Sequence, residues 1–265
     1  MKKRKKEVRA GNLVYAIIST PPAPRDPEHV RAAKAKASTQ ARRALNMKAA
    51  YRRLEMLLAA NFTQYDLHLT LTYRDSDLPA TRKEAVARLR KFLAQMRKLR
   101  QARGVMFKYI YVTEGKHGAK RLHHHVVINT TGCDIDDIRS LWPYGDQVDI
   151  ELIADREYTD LARYITKEAD DGKPVGAQMW TGSRNLEKPQ VTVTWVDENE
   201  TLVPPAGCYI YEHETKCSEY ASYSYIKYRI EPPKNRKTRP NRTKNDPIPP
   251  TLYERDTLPL HYRGY

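Results

Sequence analysis

The chain has 265 residues and a formal net charge of +15, from 47 Lys and Arg against 32 Asp and Glu. Hydrophobic residues make up 40% of it, which excludes a chain that is disordered throughout and collagen-like or coiled-coil chains. No run approaches the roughly 18 apolar residues of a membrane span. The short apolar stretch after the basic N-terminus ends at Pro21 and Pro22, so we expect a cytoplasmic protein that is not exported.

The charge is distributed unevenly along the chain. Residues 1–60 hold 15 Lys and Arg against 4 Asp and Glu, and residues 61–110 hold 11 against 4. Residues 111–170 reverse the balance, with 7 basic and 12 acidic residues. Excess Lys and Arg neutralise phosphates and release counterions, so nucleic acid is the expected partner, and a solvated basic surface is the alternative. The acidic middle region suggests a cation site.

The first 60 residues predict a basic arm followed by a helix. Residues 1–27 are basic and end in a Pro-rich stretch, with one short strand candidate at Leu13–Ser19. Residues 28–60 lack Pro and Gly and are rich in Ala, Leu, Arg and Lys, which favours a helix. Its basic residues surround the predicted helix rather than leave a wide apolar stripe. Four of them are candidate DNA contacts: Arg42, Arg43, Arg52 and Arg53.

The central region predicts alternating strands and helices. Asp66–Tyr73 places Leu67, Leu69 and Leu71 on one face, as in a strand with one buried side. The further predicted elements are a helix at Thr81–Arg103, strands at Phe107–Thr113 and Leu122–Asn129, a helix at Asp134–Trp142, a strand at Val148–Leu152 and a helix at Tyr158–Glu168. The order β-α-β-β-α-β-α predicts an α+β, ferredoxin-like antiparallel sheet with helices on one face.

The C-terminal third is less regular. Gln190–Val196 predicts a strand, and residues 207–229 are rich in Tyr, which could stack on single-stranded bases but more often serves packing. Residues 232–250 predict an extended basic, Pro-rich tail. We therefore expect four regions: residues 1–60, a catalytic domain at 61–170, an extension of uncertain fold at 171–231 and a tail at 232–265.

A His-x-His pair and an upstream carboxylate predict a metal site. His123 and His125 are alternate residues of a predicted strand, so they share a face and can chelate one divalent ion. If that strand pairs antiparallel with the preceding one, Glu114 returns beside His123. The mixed N and O ligands suit Mn²⁺ or Mg²⁺ acting on phosphate. His124, in another register, and the loop residue His117 remain alternative ligands.

Tyr164 and Lys167 lie three residues apart on the last predicted helix and so share a face. A phenol can attack a phosphodiester when a metal polarises the phosphate, and a nearby ammonium can support the reacting oxygens. The alternative is that both residues are ordinary members of an amphipathic helix.

Together these motifs resemble the HUH endonucleases, in particular the single-tyrosine rolling-circle replication initiators (Rep proteins) of phages and plasmids. The resemblance covers about residues 65–170 through Leu69-Thr-Leu-Thr-Tyr73, the His123/His125 pair with Glu114, and Tyr164-Ile-Thr-Lys167. A looser likeness extends to residues 180–209. No second Tyr follows Tyr164 by one helical turn, in keeping with single-tyrosine chemistry.

The resemblance implies a metal-dependent endonuclease and strand transferase in the cytoplasm of a prokaryotic host. Tyr164 would attack origin DNA and form a covalent 5′-phosphotyrosine, with Lys167 in support, and the reverse reaction would rejoin the strand. The expected partners are single-stranded origin DNA and a host helicase and polymerase, since no Gly-x-x-x-x-Gly-Lys-Ser/Thr motif for ATP binding occurs. Further candidate DNA contacts are Arg121, Arg163 and Arg184. The alternatives are a mobilisation relaxase or transposase of the same chemistry, and a non-catalytic DNA-binding replication factor.

Overall fold

Two antiparallel five-stranded sheets and four α-helices make up the part of the chain that the computed structural model describes. That part comprises residues 2–20, 40–115, 121–132, 134–146, 148–153, 158–166, 179–217 and 222–230, without the side chains of residues 40–45 and 217. The helices are α1 (Gln40–Asn61), α2 (Arg82–Ala102), α3 (Ile135–Leu141) and α4 (Tyr158–Tyr164). The strands are β1 (Lys3–Ala10), β2 (Leu13–Ser19), β3 (Leu67–Leu71), β4 (Tyr109–Glu114), β5 (His123–Ile128), β6 (Val148–Leu152), β7 (Thr181–Gly182), β8 (Gln190–Val196), β9 (Tyr209–Cys217) and β10 (Ser222–Arg229).

The central sheet has the strand order β6-β3-β5-β4-β7. The element order from β3 to α4 confirms the predicted β-α-β-β-α-β-α pattern and the α+β class. Thr81 caps α2, because its side chain accepts a hydrogen bond from the backbone N–H of Glu84. Each predicted boundary in this region lies within two residues of the observed one, apart from the end of α4, because residues 167 and 168 fall outside the described part.

Helices cover both faces of the central sheet, and this corrects the prediction that they lie on one face. Leu69 and Val126 point toward α2 and α3 in a cluster that includes Phe92 and Trp142. The opposite face packs Val112 and Val127 against α1 and α4. The prediction failed because the basic residues of α1 gave no sign of its sheet-facing side.

The accessory sheet has the strand order β8-β1-β2-β10-β9. It joins strands from the N-terminal 20 residues to strands from residues 190–229. Residues 3–10, predicted as part of an arm, are a strand because both of its neighbours, β2 and β8, supply antiparallel hydrogen-bonding partners. Gly11 makes the β1–β2 turn with a φ of 55°, and a Cβ there would lie 2.9 Å from the backbone oxygen of Ala59 in α1.

Helix α1 lies between the two sheets. Leu54 and Leu58 belong to the cluster beneath the central sheet, whereas Met56 packs with Leu13 and Tyr15 of the accessory sheet. Contacts on two sides explain why its sequence lacks one wide apolar stripe. The part of the predicted helix before residue 40 lies outside the described residues.

In the Tyr-rich segment, Tyr225 and Tyr228 are buried, as packing requires, whereas Tyr209 is exposed. Tyr220 and the predicted tail at 232–265 lie outside the described residues. None of the helices in the described ranges combines the length and apolar content that a membrane crossing demands.

Candidate metal centre and nucleophile

Two neighbouring strands bring Glu114, His123 and His125 together. The antiparallel register pairs Glu114 of β4 with His123 of β5, as the sequence predicted. The Nε2 atoms of His123 and His125 each lie 3.6 Å from Oε2 of Glu114. One ligand atom from each of the three residues falls within 4.8 Å of the others, so the group could hold a metal ion.

The burial of these three side chains fits a metal site. The Glu114 and His125 side chains are 0% and 1% exposed, and that of His123 is 20% exposed. Nε2 of His125 makes no hydrogen bond to any described residue, although a buried polar atom normally has a partner. A buried carboxylate is costly unless it is paired or bound to a cation. The donor set therefore fits a divalent cation that is reached from the His123 side.

Gly115 ends β4 directly after the carboxylate ligand candidate. Its φ is 127°, a conformation that L side chains rarely adopt. A Cβ at this position would lie 2.7 Å from the Cα of Leu122. The absence of a side chain at residue 115 thus allows the two strands to approach closely where Glu114 faces His123.

Tyr164 lies over the same group, at the C-terminal end of α4. The centroid of its ring is 5.1 Å from that of His125, and the two planes meet at 66°. The tyrosine is 46% exposed. The candidate nucleophile therefore borders the candidate ligands and is accessible to a large substrate.

His68 also belongs to this group, and sequence reasoning missed it. It is buried in β3, with Nε2 3.2 Å from Nδ1 of His125 and Nδ1 3.6 Å from Oε2 of Glu151. Burial, and then the neighbouring His125, lower the pKa of His68 to about 4 against the raising effect of Glu151. A neutral His68 can accept the Nδ1–H of His125 and orient Nε2 of His125 toward Glu114. The only sequence signal was its position on the non-Leu face of β3.

His124 points to the other face of the sheet. Its Nε2 lies 2.7 Å from the Tyr73 hydroxyl and its Nδ1 lies 2.9 Å from that of Thr113. The ring is fully buried, and burial, followed by the charges of His123, Arg82 and His125, lowers its pKa to about 3. With both nitrogens engaged in the core, His124 does not join the group that contains Glu114.

Arg82, the first residue of α2, is a further residue that sequence reasoning missed. Burial lowers the pKa of its guanidinium, and the charge of Glu114 opposes that shift. Arg82 thus adds a cation whose field reaches Glu114. A helix-initiating arginine has no distinctive sequence pattern, and only the fold relates it to β4.

The remaining predicted site residues are dispersed. Lys167 and His117 lie outside the described residues, as do the side chains of Arg42 and Arg43. Arg53, Arg163 and Arg184 are exposed. Arg52 instead donates to the Tyr15 hydroxyl at 2.7 Å and lies over the Tyr15 ring. Arg121 donates to the Asp75 carboxylate and the Tyr73 backbone oxygen.

Comparison with known proteins gives one match. Residues 66–169 match the family model of the replication-associated protein ORF2. The matched segment contains β3 to α4, and with them all three candidate metal ligands and Tyr164. It supports a replication initiator family and a role in replication initiation. No curated protein and no solved structure matched the chain.

Proposed function

We propose that this chain, whose central region matches a replication-associated family, is a rolling-circle replication initiator that nicks origin DNA. In this proposal it is a metal-dependent, site-specific endonuclease with Tyr164 as nucleophile, and it later rejoins the strand. The observation that carries the proposal is the position of the Tyr164 ring, 5.1 Å from that of His125, within a Glu-His-His group that could hold a metal.

The chemistry of the chain's own residues is a transesterification. The Tyr164 hydroxyl oxygen attacks the scissile phosphorus and loses its proton to the surroundings. A tyrosine–phosphate bond forms at the 5′ side, and the bond from phosphorus to O3′ breaks, so that O3′ takes up a proton and becomes a free hydroxyl. Rejoining reverses these steps and requires no external energy source.

The candidate ligands define the role of the metal. When bound, Mn²⁺ or Mg²⁺ would polarise the phosphate as a Lewis acid. Glu114, His123 and His125 would hold the ion, and His68 would keep the His125 ring in a binding orientation. The 20% exposure of the His123 side chain leaves an open side on which a phosphate oxygen can approach.

Covalent capture of DNA tests the nucleophile. The full chain is incubated with single-stranded origin DNA and Mn²⁺, and an adduct that survives SDS is expected. Tyr164→Phe should abolish the adduct, because it removes the attacking oxygen alone. Tyr65→Phe is a matched control, since Tyr65 is also exposed, and it should retain the adduct. An adduct that persists in Tyr164→Phe would exclude Tyr164, and no adduct from wild type on any origin DNA would favour a non-catalytic DNA-binding factor.

Direct metal titration tests the ligands independently of DNA cleavage. His123→Ala and His125→Ala should each abolish measurable Mn²⁺ binding in calorimetry, because each removes one of three ligands. His213→Ala serves as the control, since His213 is exposed on β9 of the accessory sheet. Unchanged binding in both ligand variants would contradict the metal site even if the chain cleaves DNA.

A further inference from the structure

One region of the accessory sheet exposes an aromatic side chain beside basic ones. Antiparallel pairing places Trp195 of β8 opposite Arg4 of β1, and Val193 opposite Lys6. Partners directly opposite each other share a face, so these four side chains form one surface, called here the Trp195 patch. Trp195 is 59% exposed and Val193 is 44% exposed.

The rest of the same face is covered. Helix α1 packs Met56 against Leu13, Tyr15 and Tyr225 on strands β2 and β10. The Trp195 patch lies at the β8 side of the sheet, and β8 pairs with β1 alone among the described strands. The indole is therefore available to a partner from outside the described part of the chain.

The charge of the patch indicates what kind of partner fits. Neither Arg4 nor Lys6 makes an ion pair within the described ranges. In contrast Lys5, which points to the opposite face, lies 3.5 Å from Glu200. The pairing continues from Arg4 to Ser19 and on to Tyr223, so an aromatic and a hydroxyl side chain follow in the same row. Two cations beside an exposed indole complement a polyanion that carries flat, apolar groups.

We infer that the Trp195 patch binds single-stranded DNA, with a base stacked on the Trp195 indole and backbone phosphates bound by Arg4 and Lys6. Stacking on an exposed ring requires an unpaired base, and the sequence tolerance of such stacking suits a surface without a base-reading pocket. The inference extends the proposed function, because a nicking and unwinding cycle produces single-stranded DNA. The patch would hold a strand through contacts independent of the Glu-His-His group.

The chain's own fluorescence provides the first test. Of its three tryptophans, Trp142 is buried and Trp180 is half-buried, so Trp195 is the most exposed. Titration of the full chain with oligo(dT) in EDTA, without nicking, should quench the emission. Trp195→Phe should lose most of the quenching, since only a stacked indole reports the base. Equal quenching in wild type and Trp195→Phe would overturn the inference.

Affinity measurements on matched variants provide the second test. In fluorescence anisotropy, Trp195→Ala should weaken oligo(dT) binding about tenfold, and the double variant Arg4→Ala/Lys6→Ala should weaken it and reduce its salt dependence. Lys5→Ala, on the same strand but the opposite face, should bind like wild type. Circular dichroism should show an unchanged fold, because Trp195 and Arg4 are exposed.

The outcomes separate this inference from the nicking proposal. Wild-type oligo(dT) affinity in Trp195→Ala would overturn the patch even if the chain nicks DNA. Weakened oligo(dT) binding in that variant would support the patch even if Tyr164 forms no adduct. An equal loss of duplex binding would contradict the single-strand assignment. Unchanged DNA affinity with reduced self-association in sedimentation would instead identify the patch as a contact between copies of the chain.

Discussion

At the residue scale, His68 determines how His125 can bind a cation. Its Nε2 occupies Nδ1 of His125 at 3.2 Å, and this leaves Nε2 of His125 to face Glu114. Partners of this kind fix the tautomer and orientation of a metal-ligating histidine.

We therefore expect His68→Ala to weaken Mn²⁺ binding about 10- to 100-fold. Calorimetric titration measures this directly, and urea unfolding of the same variant reports any loss of stability. His68→Asn, which can still accept a hydrogen bond, should recover part of the affinity. If His68→Ala binds Mn²⁺ like wild type, His68 does not orient the ligand.

His124 predicts how stability depends on pH. Its pKa is about 3 in the folded chain against an ordinary value of 6.5, so the unfolded chain takes up a proton that the folded chain excludes. The free energy of unfolding should thus fall as the pH drops from about 6.5 toward 3, by up to about 1.4 kcal/mol per pH unit. Urea midpoints at pH 7 and pH 5, in EDTA, measure the effect. His124→Gln should be less stable at pH 7 but should lose less stability between these two values. An equal loss in both proteins would contradict the role of His124.

At the element scale, a buried polar cluster ties α4 to α1 and the accessory sheet. Nζ of Lys227 on β10 lies 2.8 Å from Glu55 of α1 and 2.7 Å from the hydroxyl of Thr159 on α4. The Thr159 hydroxyl donates to the same Glu55 oxygen at 2.5 Å. Because Thr159 precedes Tyr164 by five residues in one helix, this cluster helps to hold the candidate nucleophile over the central sheet.

Removal of one partner should be costly. Lys227→Met leaves the Glu55 carboxylate buried without its cation, and we expect a loss of about 3–5 kcal/mol in the free energy of unfolding. The double variant Glu55→Leu/Lys227→Met removes both charges and should be closer to wild type. Urea unfolding of the two single variants and the double variant gives the coupling energy. Strict additivity would mean that the pair contributes no specific stabilisation.

At the scale of the whole molecule, the net charge of +15 predicts salt-sensitive DNA binding. For single strands, the logarithm of the affinity falls with the logarithm of salt concentration by about 0.7 per phosphate contact. With about six contacts, affinity for oligo(dT) should fall several-hundred-fold between 50 and 200 mM salt. Anisotropy titrations measure the slope, and a methylphosphonate oligonucleotide without backbone charge should show almost no salt dependence. A flat slope for the charged strand would contradict electrostatic binding.

Local patterns predicted the central sheet well because its strands are short in sequence separation and alternate clearly. The spacing of His123 and His125 placed both on one face, and the short β4–β5 connection returned Glu114 beside them. The contribution of His68 depends on the register between β3 and β5, strands 57 residues apart at the His68–His125 contact. Nothing in the local pattern determines that register.

The accessory sheet was harder to predict for a related reason. The composition of residues 3–10 is that of a solvated arm, and it becomes a strand only because β2 and β8 lie on either side. Glu55 and Lys227 likewise lie 172 residues apart. Such pairs follow from tertiary packing and not from propensity.

The pairing of β2 with β10 has a consequence for synthesis of the chain. The backbone N–H of Thr20, next to β2, donates to the oxygen of Ser222, so two segments about 200 residues apart must meet. At about 5–20 residues per second, a ribosome needs about 10–40 s to make the intervening chain. During that time the β1–β2 hairpin exposes an unpaired edge, which is a template for aggregation. A truncated translation product that ends before β10 would keep that edge permanently, so we expect such products to be targets of chaperones and proteases.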